Sequence, residues 1–272
     1  MMSGFLVYGF VQRGLLAGSL VAAACALIGV FLVLKRLSLI GDGMSHVCLT
    51  GVAVALLTSS NPVYMSVPVV VLSSLGIMKI TQKFKIYGDA AIGIVSAAGL
   101  SVGLLITAFA GGFNTDLLGY LFGSILTVSW DEVLLCGILL AAVLGGLRFF
   151  YRDLTSACFD EPFARTRGVP VRIVNTALVA VTSVAVVLAF KVVGIFLISA
   201  MLIIPPVSAL LVSHTFKQVL VCAACFGVAS VWLGVYLSFL FNIPSGATII
   251  LVNLLVLAGC YIYAKVGGSD AR

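Results

Sequence analysis

Asp42 and His46 are the residues whose types and spacing point most directly to chemistry. They lie four residues apart, at the start of a stretch without Asp, Glu, Lys or Arg over residues 43–78. In a helix, residues i and i+4 share a face, so a carboxylate and an imidazole would project side by side. Oxygen and nitrogen donors suit divalent transition metals. The spacing therefore predicts a metal contact, and the alternative is a polar pair that caps a helix end.

The segment from Phe159 to Pro170 has the pattern of a short helix with defined ends. Asp160 is a typical N-cap, Arg165 suits the last turn and Gly168 is a typical stop. A helix too short to cross a membrane would present Phe163 on a surface, which favours a docking element for a soluble partner; the alternative is an ordinary structured loop. The residues assigned to this element are Phe159, Asp160, Glu161, Phe163, Arg165 and Gly168.

Pro205 and Pro206 interrupt an apolar run that extends from Ile198 to Leu211. Proline lacks the backbone N–H, so a helix here loses hydrogen bonds and frees carbonyl groups. At membrane depth, freed carbonyls need polar neighbours or a polar cavity. The pair predicts either a simple kink or a broken helix that lines a transport pathway.

The composition excludes a soluble domain. Hydrophobic residues make up 62% of the 272-residue chain and charged residues 9%, against about 25% charged residues in soluble domains. We therefore expect an all-α, polytopic membrane protein. A spanning helix needs about 20 apolar residues, so each of the two longest uncharged runs must hold two helices, with turns at residues 59–62 and 242–246. The nine expected spans are 14–34, 40–58, 63–81, 90–110, 130–149, 173–190, 192–213, 218–240 and 246–264.

Three pairs of glycines with four-residue spacing occur along the apolar segments. This spacing lets helix backbones approach closely in lipid, although it also arises by chance in a glycine-rich chain. The pairs are Gly14 and Gly18, Gly99 and Gly103, and Gly119 and Gly123.

The positive charges predict the orientation, because cytoplasmic loops retain Lys and Arg. With the N-terminus outside and the C-terminus in the cytoplasm, only Arg13 and Lys191 of the 15 Lys and Arg residues lie on the outer side. The net charge of +6 is thus a topology signal and does not indicate nucleic-acid binding. Residues 1–11 are expected to form a helix on the outer surface. No soluble domain is evident, so residues 1–272 are expected to form one membrane domain.

The sequence gives no support for an ATPase or a protease. It has no G-x-x-x-x-G-K-[ST] phosphate loop, so a nucleotide site would have to be on another chain. It has no H-E-x-x-H, and its G-x-S-x-G match at residues 99–103 lies inside an expected apolar span instead of a strand-to-helix turn, which argues against an intramembrane protease. A secondary transporter or channel stays open, although neither would use the Phe159–Pro170 helix. Because an ionisable residue within a span by default marks a substrate pathway, Asp42 and His46 favour transport over catalysis.

The chain resembles the permease subunits of bacterial zinc, manganese and iron ATP-binding-cassette (ABC) importers, which are related to the vitamin B12 and ferric-siderophore permeases. The residues that carry the resemblance are Lys35–His46, Asp89–Ile94, Leu118–Leu126, Phe159–Pro170 and Leu202–Pro205. Family members usually have Ala where Gly43 stands, and often Ala or Thr where Pro206 stands. The resemblance implies the type II ABC importer fold.

The resemblance also implies partners and a cargo. Two permease subunits, identical or not, would pair in the lipid of the bacterial cytoplasmic membrane. The loop around Phe163 would be the coupling helix for a cytoplasmic ATPase dimer that hydrolyses ATP, and an extracytoplasmic receptor would deliver the metal. Asp42 and His46 match the family positions that contact the ion in transit, and no cofactor would be permanently bound. Because the two residues lie about one and two turns into the second span, at about 1.5 Å per residue, we expect them in the inner third of the membrane. The alternative cargo is a chelate such as a siderophore, haem or cobalamin, which would need no protein ligands.

Overall fold

The computed structural model describes residues 9–84, 86–109 and 128–266, and the regular structure in these ranges is helical. Eight of the described helices are long and apolar enough to cross a membrane, and α8 is a shorter apolar helix. The prediction of an all-α, polytopic membrane protein with about nine spans is confirmed. The helices are α1 Gly9–Leu34, α2 Ile40–Leu57, α3 Pro62–Phe84, α4 Gly88–Phe109, α5 Trp130–Phe159, α6 Glu161–Thr166, α7 Val171–Val193, α8 Ile195–Val212, α9 Phe216–Phe241 and α10 Ser245–Val266.

Some predictions concern residues outside these ranges. The motif Leu118–Leu126 and the pair Gly119 and Gly123 lie outside the described residues. So do residues 1–8 of the expected surface helix, whereas residues 9–11 belong to α1.

The two turns predicted inside the long uncharged runs lie where the sequence places them. Ser59 has a positive φ of 50°, and the side-chain oxygen of Asn61 accepts a hydrogen bond from the N–H of Val63 at 3.0 Å. Asn242 ends α9 in the left-handed conformation with φ of 53°, which short polar side chains tolerate better than others. Local turn chemistry therefore separates α2 from α3 and α9 from α10.

Helix α5 extends beyond its predicted end. The charges that begin at Arg148 end the apolar run, so the span was expected to stop at residue 149, but the helix continues to Phe159. A charged side chain favours water over lipid around the helix, but it does not remove a backbone hydrogen bond. The helix can therefore continue beyond the apolar run. The helix ends only at Asp160, which adopts an extended conformation and caps the next helix.

Helix α8 is continuous through Pro205 and Pro206, so of the two alternatives, a kink and a broken helix, the broken helix is wrong. The break is avoided although Pro206 offers no N–H to the carbonyl of Leu202. That carbonyl faces Gly29 of α1, where an added Cβ would overlap the Leu202 oxygen and lie 2.8 Å from Cγ of Pro206. The absence of a side chain at Gly29 thus lets α1 pack closely against α8 at the Leu202 carbonyl and the Pro206 ring.

Small residues hold α2 close to its neighbours α3 and α4. The Thr50 hydroxyl donates a hydrogen bond to the carbonyl of Gly99, and a Cβ on Gly103 would lie 3.1 Å from Cα of Thr50. On the other side, a Cβ on Gly51 would lie 2.6 Å from Oγ and 2.8 Å from Cβ of Ser66. The pair Gly99 and Gly103 therefore provides the close helix contact that its spacing predicts, and α2 is fixed in position from two directions.

The Gly51→Ala substitution tests this packing. The added methyl group meets the α3 backbone at Ser66, so we expect a destabilisation of about 1–3 kcal/mol from overpacking, measured as a lower Tm of the purified protein in detergent. Gly76→Ala on α3 is the control, because nothing lies within 4 Å of its new Cβ. An unchanged or higher Tm in Gly51→Ala would contradict the contact.

Three helix ends meet at one side of the molecule. The Lys35 ammonium donates a hydrogen bond to the carbonyl of Ala157 at 2.9 Å, which joins the ends of α1 and α5. The Phe216 ring, at the start of α9, lies 5.5 Å from that of Phe31 and 5.7 Å from that of Phe159. This arrangement brings together chain segments that the distribution of Lys and Arg assigns to the same side.

Candidate functional site

Asp42 and His46 form a pair on the first two turns of α2. Oδ2 of Asp42 lies 3.7 Å from Nε2 of His46, and the side chains are 53% and 34% exposed, respectively, in the single chain. The helix therefore places the carboxylate and the imidazole on one face, as their spacing predicts. Both side chains are partly exposed, so part of the pair faces a surface that another molecule or water can reach.

Ser199 of α8 adds a third polar group that the sequence reasoning missed. Its hydroxyl donates a hydrogen bond to Oδ1 of Asp42 at 3.4 Å. The contact depends on Gly41, because a Cβ there would overlap the side chain of Leu202, one turn after Ser199 on α8. The available signal was a single hydroxyl in the apolar run before Pro205, but only the packing of α8 on α2 shows which carboxylate it meets.

The imidazole of His46 has one nitrogen without a partner. Nε2 faces Asp42, whereas Nδ1 is buried and accepts or donates no hydrogen bond within the described residues. A buried unpaired nitrogen is costly, and such groups call for an explanation. A neutral imidazole could serve as a metal ligand at this position.

The number of donors bears on how firmly an ion could be held. Within residues 9–84, 86–109 and 128–266, no three His, Cys, Asp or Glu side chains come together in a possible metal cluster. One chain thus brings two strong donors, Asp42 and His46, where structural zinc sites use four. Further donors would have to come from water or from a second chain.

Gly43 allows α4 to approach α2 beside the pair. A Cβ at this position would lie 2.6 Å from Cγ2 of Ile92 and 3.6 Å from its carbonyl oxygen. The Cγ2 methyl branch of Ile92 would have to move to admit an alanine, the residue usual in the permeases that the chain resembles. Gly43 therefore allows α2 to pack closely against the segment Asp89–Ile94.

The short helix predicted after residue 159 is present as α6, Glu161–Thr166. Oδ1 of Asp160 accepts a hydrogen bond from the N–H of Phe163 at 2.9 Å, as expected of an N-cap. Arg165 and Glu161 form an exposed ion pair at 3.4 Å. Gly168 follows with φ of 78°, which favours glycine. One assignment is corrected: Phe159 is the last residue of α5 and not part of the short helix.

The short helix presents aromatic surface. Within the helix, Ala164 is fully buried, whereas Phe163 is 53% exposed. The guanidinium of Arg167 lies 5.8 Å from the centroid of the Phe163 ring. Phe159 is 65% exposed although one edge of it packs against Phe216. Exposed aromatic rings beside an arginine are typical of protein–protein contacts.

Comparison with known proteins places these features in a family. The chain is 32% identical over 267 residues to the manganese transport system membrane protein MntC of Listeria innocua, covering 98% of this chain and 95% of that one. It is 32% identical over 263 residues to the "Probable iron transport system membrane protein" of Haemophilus influenzae, covering 96% of each. The solved structure of PsaBC from Streptococcus pneumoniae in complex with Fab contains a chain with a TM-score of 0.86 and 28% identity, covering 98% of this chain and 100% of that chain. The ABC 3 transport family matches residues 7–264, and this chain therefore belongs to that family.

Proposed function

We propose that this chain is the membrane permease of an ABC importer that moves a bare divalent transition-metal ion, manganese, iron or zinc, into the cytoplasm. The observation that carries the proposal is the Asp42–His46 pair, 3.7 Å apart on an accessible face of α2, in a chain of the ABC 3 transport family. The names of its relatives, which refer to manganese and iron transport, support the choice of cargo.

The exposed carboxylate supports a paired permease. An ionisable side chain in an apolar segment is costly when it faces lipid, and such groups normally face a bundle interior or a water-filled path. Asp42 is 53% exposed in the single chain, so a second permease subunit that covers this face would remove the cost. The pair would then line a path between the two subunits.

The donor set suits an ion in passage. Two strong donors from each chain would hold the ion with help from water, and the Ser199 hydroxyl would orient the Asp42 carboxylate by its hydrogen bond at 3.4 Å. Two protein donors per chain are fewer than the four of a structural zinc site, so an ion held by them is released more readily than one in a full cage. In this mechanism Asp42 supplies charge and His46 supplies a neutral nitrogen donor.

The partners and the orientation belong to the same proposal. Residues 1–272 form one permease domain with the N-terminus outside and the C-terminus in the cytoplasm of a bacterium. A cytoplasmic ATPase dimer contacts α6 through Phe163 and supplies the energy, and an extracytoplasmic receptor delivers the ion. The sorted Lys and Arg residues and the exposed aromatic ring on a capped short helix support these assignments.

Uptake by the reconstituted transporter tests the function. The chain is co-purified with its permease partner, ATPase and receptor, and ATP-dependent accumulation of radioactive manganese, iron(II) and zinc is measured in proteoliposomes. We expect saturable uptake of at least one bare ion, with competition among the three. Ferric siderophore, haem and cobalamin serve as the comparison cargoes. Uptake of a chelate without uptake of any bare ion would overturn the proposal.

A further inference from the structure

A groove of about 920 Å³ lies between α5 and α9, with Leu27 of α1 in its lining. It is separate from the candidate metal site: α1 packs against α5 and α9, whereas α2 packs against α3, α4, α7 and α8. Its volume falls in the range of about 300–1,000 Å³ that is usual for ligand pockets.

Three cations line one end of the groove. Arg148 and Arg152 are four residues apart on α5, and Lys217 lies in the first turn of α9. All three are exposed, and within the described part of the chain none of them forms an ion pair. The neighbouring carboxylate, Asp153, lines a different cavity between α5 and α7. The groove therefore concentrates positive charge that no carboxylate among the described residues pairs with.

The remainder of the groove is apolar. Leu144 lies one turn before Arg148 on α5, and Leu220 and Ala224 lie one and two turns after Lys217 on α9. On both helices, the residues that line the groove change from cationic to apolar with distance from the charged helix ends. The groove is amphipathic along its length, with a positively charged end and an apolar end.

Aromatic contacts fix the charged end. The Phe216 ring, next to Lys217, packs on Tyr151 at 5.9 Å and on Phe159 at 5.7 Å between ring centroids. These contacts hold the start of α9 against α5, so Lys217 keeps its place opposite Arg148 and Arg152. The three cations do not depend on a bound molecule to bring them together.

We propose that this groove binds one anionic phospholipid, with the phosphate between Arg148, Arg152 and Lys217 and an acyl chain along Leu144, Leu220 and Ala224. The inference rests on the proposed orientation, which places the charged end at the cytoplasmic leaflet. Basic pockets between membrane helices on that side recognise anionic headgroups. A lipid fits better than a protein partner because the apolar end continues into the depth of the bilayer, where lipid is the available ligand.

Lipid binding to the intact, detergent-purified transporter tests the proposal by native mass spectrometry, with phosphatidylglycerol and phosphatidylcholine of matched acyl chains as probes. The test variant combines Arg148→Gln, Arg152→Gln and Lys217→Gln. We expect phosphatidylglycerol to bind about fivefold more weakly for each charge removed, and about a hundredfold more weakly in the triple variant. Wild-type protein should prefer phosphatidylglycerol to phosphatidylcholine.

The control variant combines Lys79→Gln, Lys83→Gln and Arg172→Gln, which removes the same charge from other exposed residues assigned to the same side. It should bind phosphatidylglycerol within about twofold of wild type. Equal weakening in both triple variants, or displacement of the lipid by glycerol phosphate alone, would overturn the proposal. Ala224→Trp fills the apolar end without changing the charges, and undiminished lipid binding in that variant would also overturn it. The readout is independent of metal transport, so a failure of the proposed cargo would leave this result unaffected.

Discussion

Asp42→Asn and His46→Ala are each expected to abolish metal uptake while the transporter stays assembled in the membrane. Asparagine keeps the size of the side chain but removes the negative charge and the anionic ligand, and alanine removes the nitrogen donor. Loss of a group that merely supports a metal ligand costs about 10–100-fold in affinity or activity, so loss of a ligand itself should exceed that range. Initial uptake rates in proteoliposomes measure the effect.

Folding is not expected to account for the loss. Asp42 is 53% exposed, and its contacts are to His46 at 3.7 Å and to the Ser199 hydroxyl at 3.4 Å. Neither contact is part of the core that fixes α2, which is formed by Thr50, Gly51 and their neighbours. Both variants should therefore reach the membrane at wild-type levels and retain basal ATP hydrolysis when assembled with the ATPase.

Two matched substitutions serve as controls. His214→Ala removes the other histidine of the chain, which lies in the exposed connection between α8 and α9. Ser45→Ala changes the residue next to His46. The Ser45 hydroxyl donates a hydrogen bond to the carbonyl of Gly41 in its own helix at 2.7 Å. Both should transport at close to the wild-type rate. Normal uptake by Asp42→Asn and by His46→Ala would show that the pair is not on the ion pathway.

The parts of the site that the sequence could predict are those that depend on neighbouring residues. Asp42 and His46 lie within one helix, so their shared face follows from helical geometry. The N-cap at Asp160 and the stop at Gly168 likewise depend on the chemistry of a few consecutive residues. The number of spans follows from the length of apolar sequence that a bilayer requires.

The parts that it could not predict depend on packing between distant segments. Ser199 reaches Asp42 only because Gly41 lets the side chain of Leu202 approach α2. Pro205 and Pro206 carry a helix-breaking signal, yet α8 is continuous through them and packs closely against Gly29 of α1. The end of α5 was missed for another reason: the transition from apolar to charged residues at Arg148 is a signal for the membrane boundary and not for the helix end.

Phe163→Asp is expected to separate the permease from its ATPase or to uncouple ATP hydrolysis from uptake. The ring is 53% exposed on α6. Helix α6 is held by the Asp160 N-cap and by the burial of its own Ala164, so the substitution changes the exposed surface more than the fold. Burying a carboxylate in an apolar contact is costly. A central aromatic contributes about 2–4 kcal/mol to an interface, which predicts at least about 30-fold weaker assembly, measured by titrating ATPase subunits onto the permease in nanodiscs.

Phe163→Leu is the matched variant, because leucine keeps an apolar side chain on the same rigid helix. It should retain most of the assembly and most of the ATP-dependent uptake. Arg165→Ala removes an exposed ion pair with Glu161, and such pairs contribute about 0–1 kcal/mol to stability. A large loss of ATPase binding in that variant would therefore mean that Arg165 contacts the ATPase directly. If Phe163→Asp assembles and transports as wild type does, α6 is not the site through which the ATPase drives the permease.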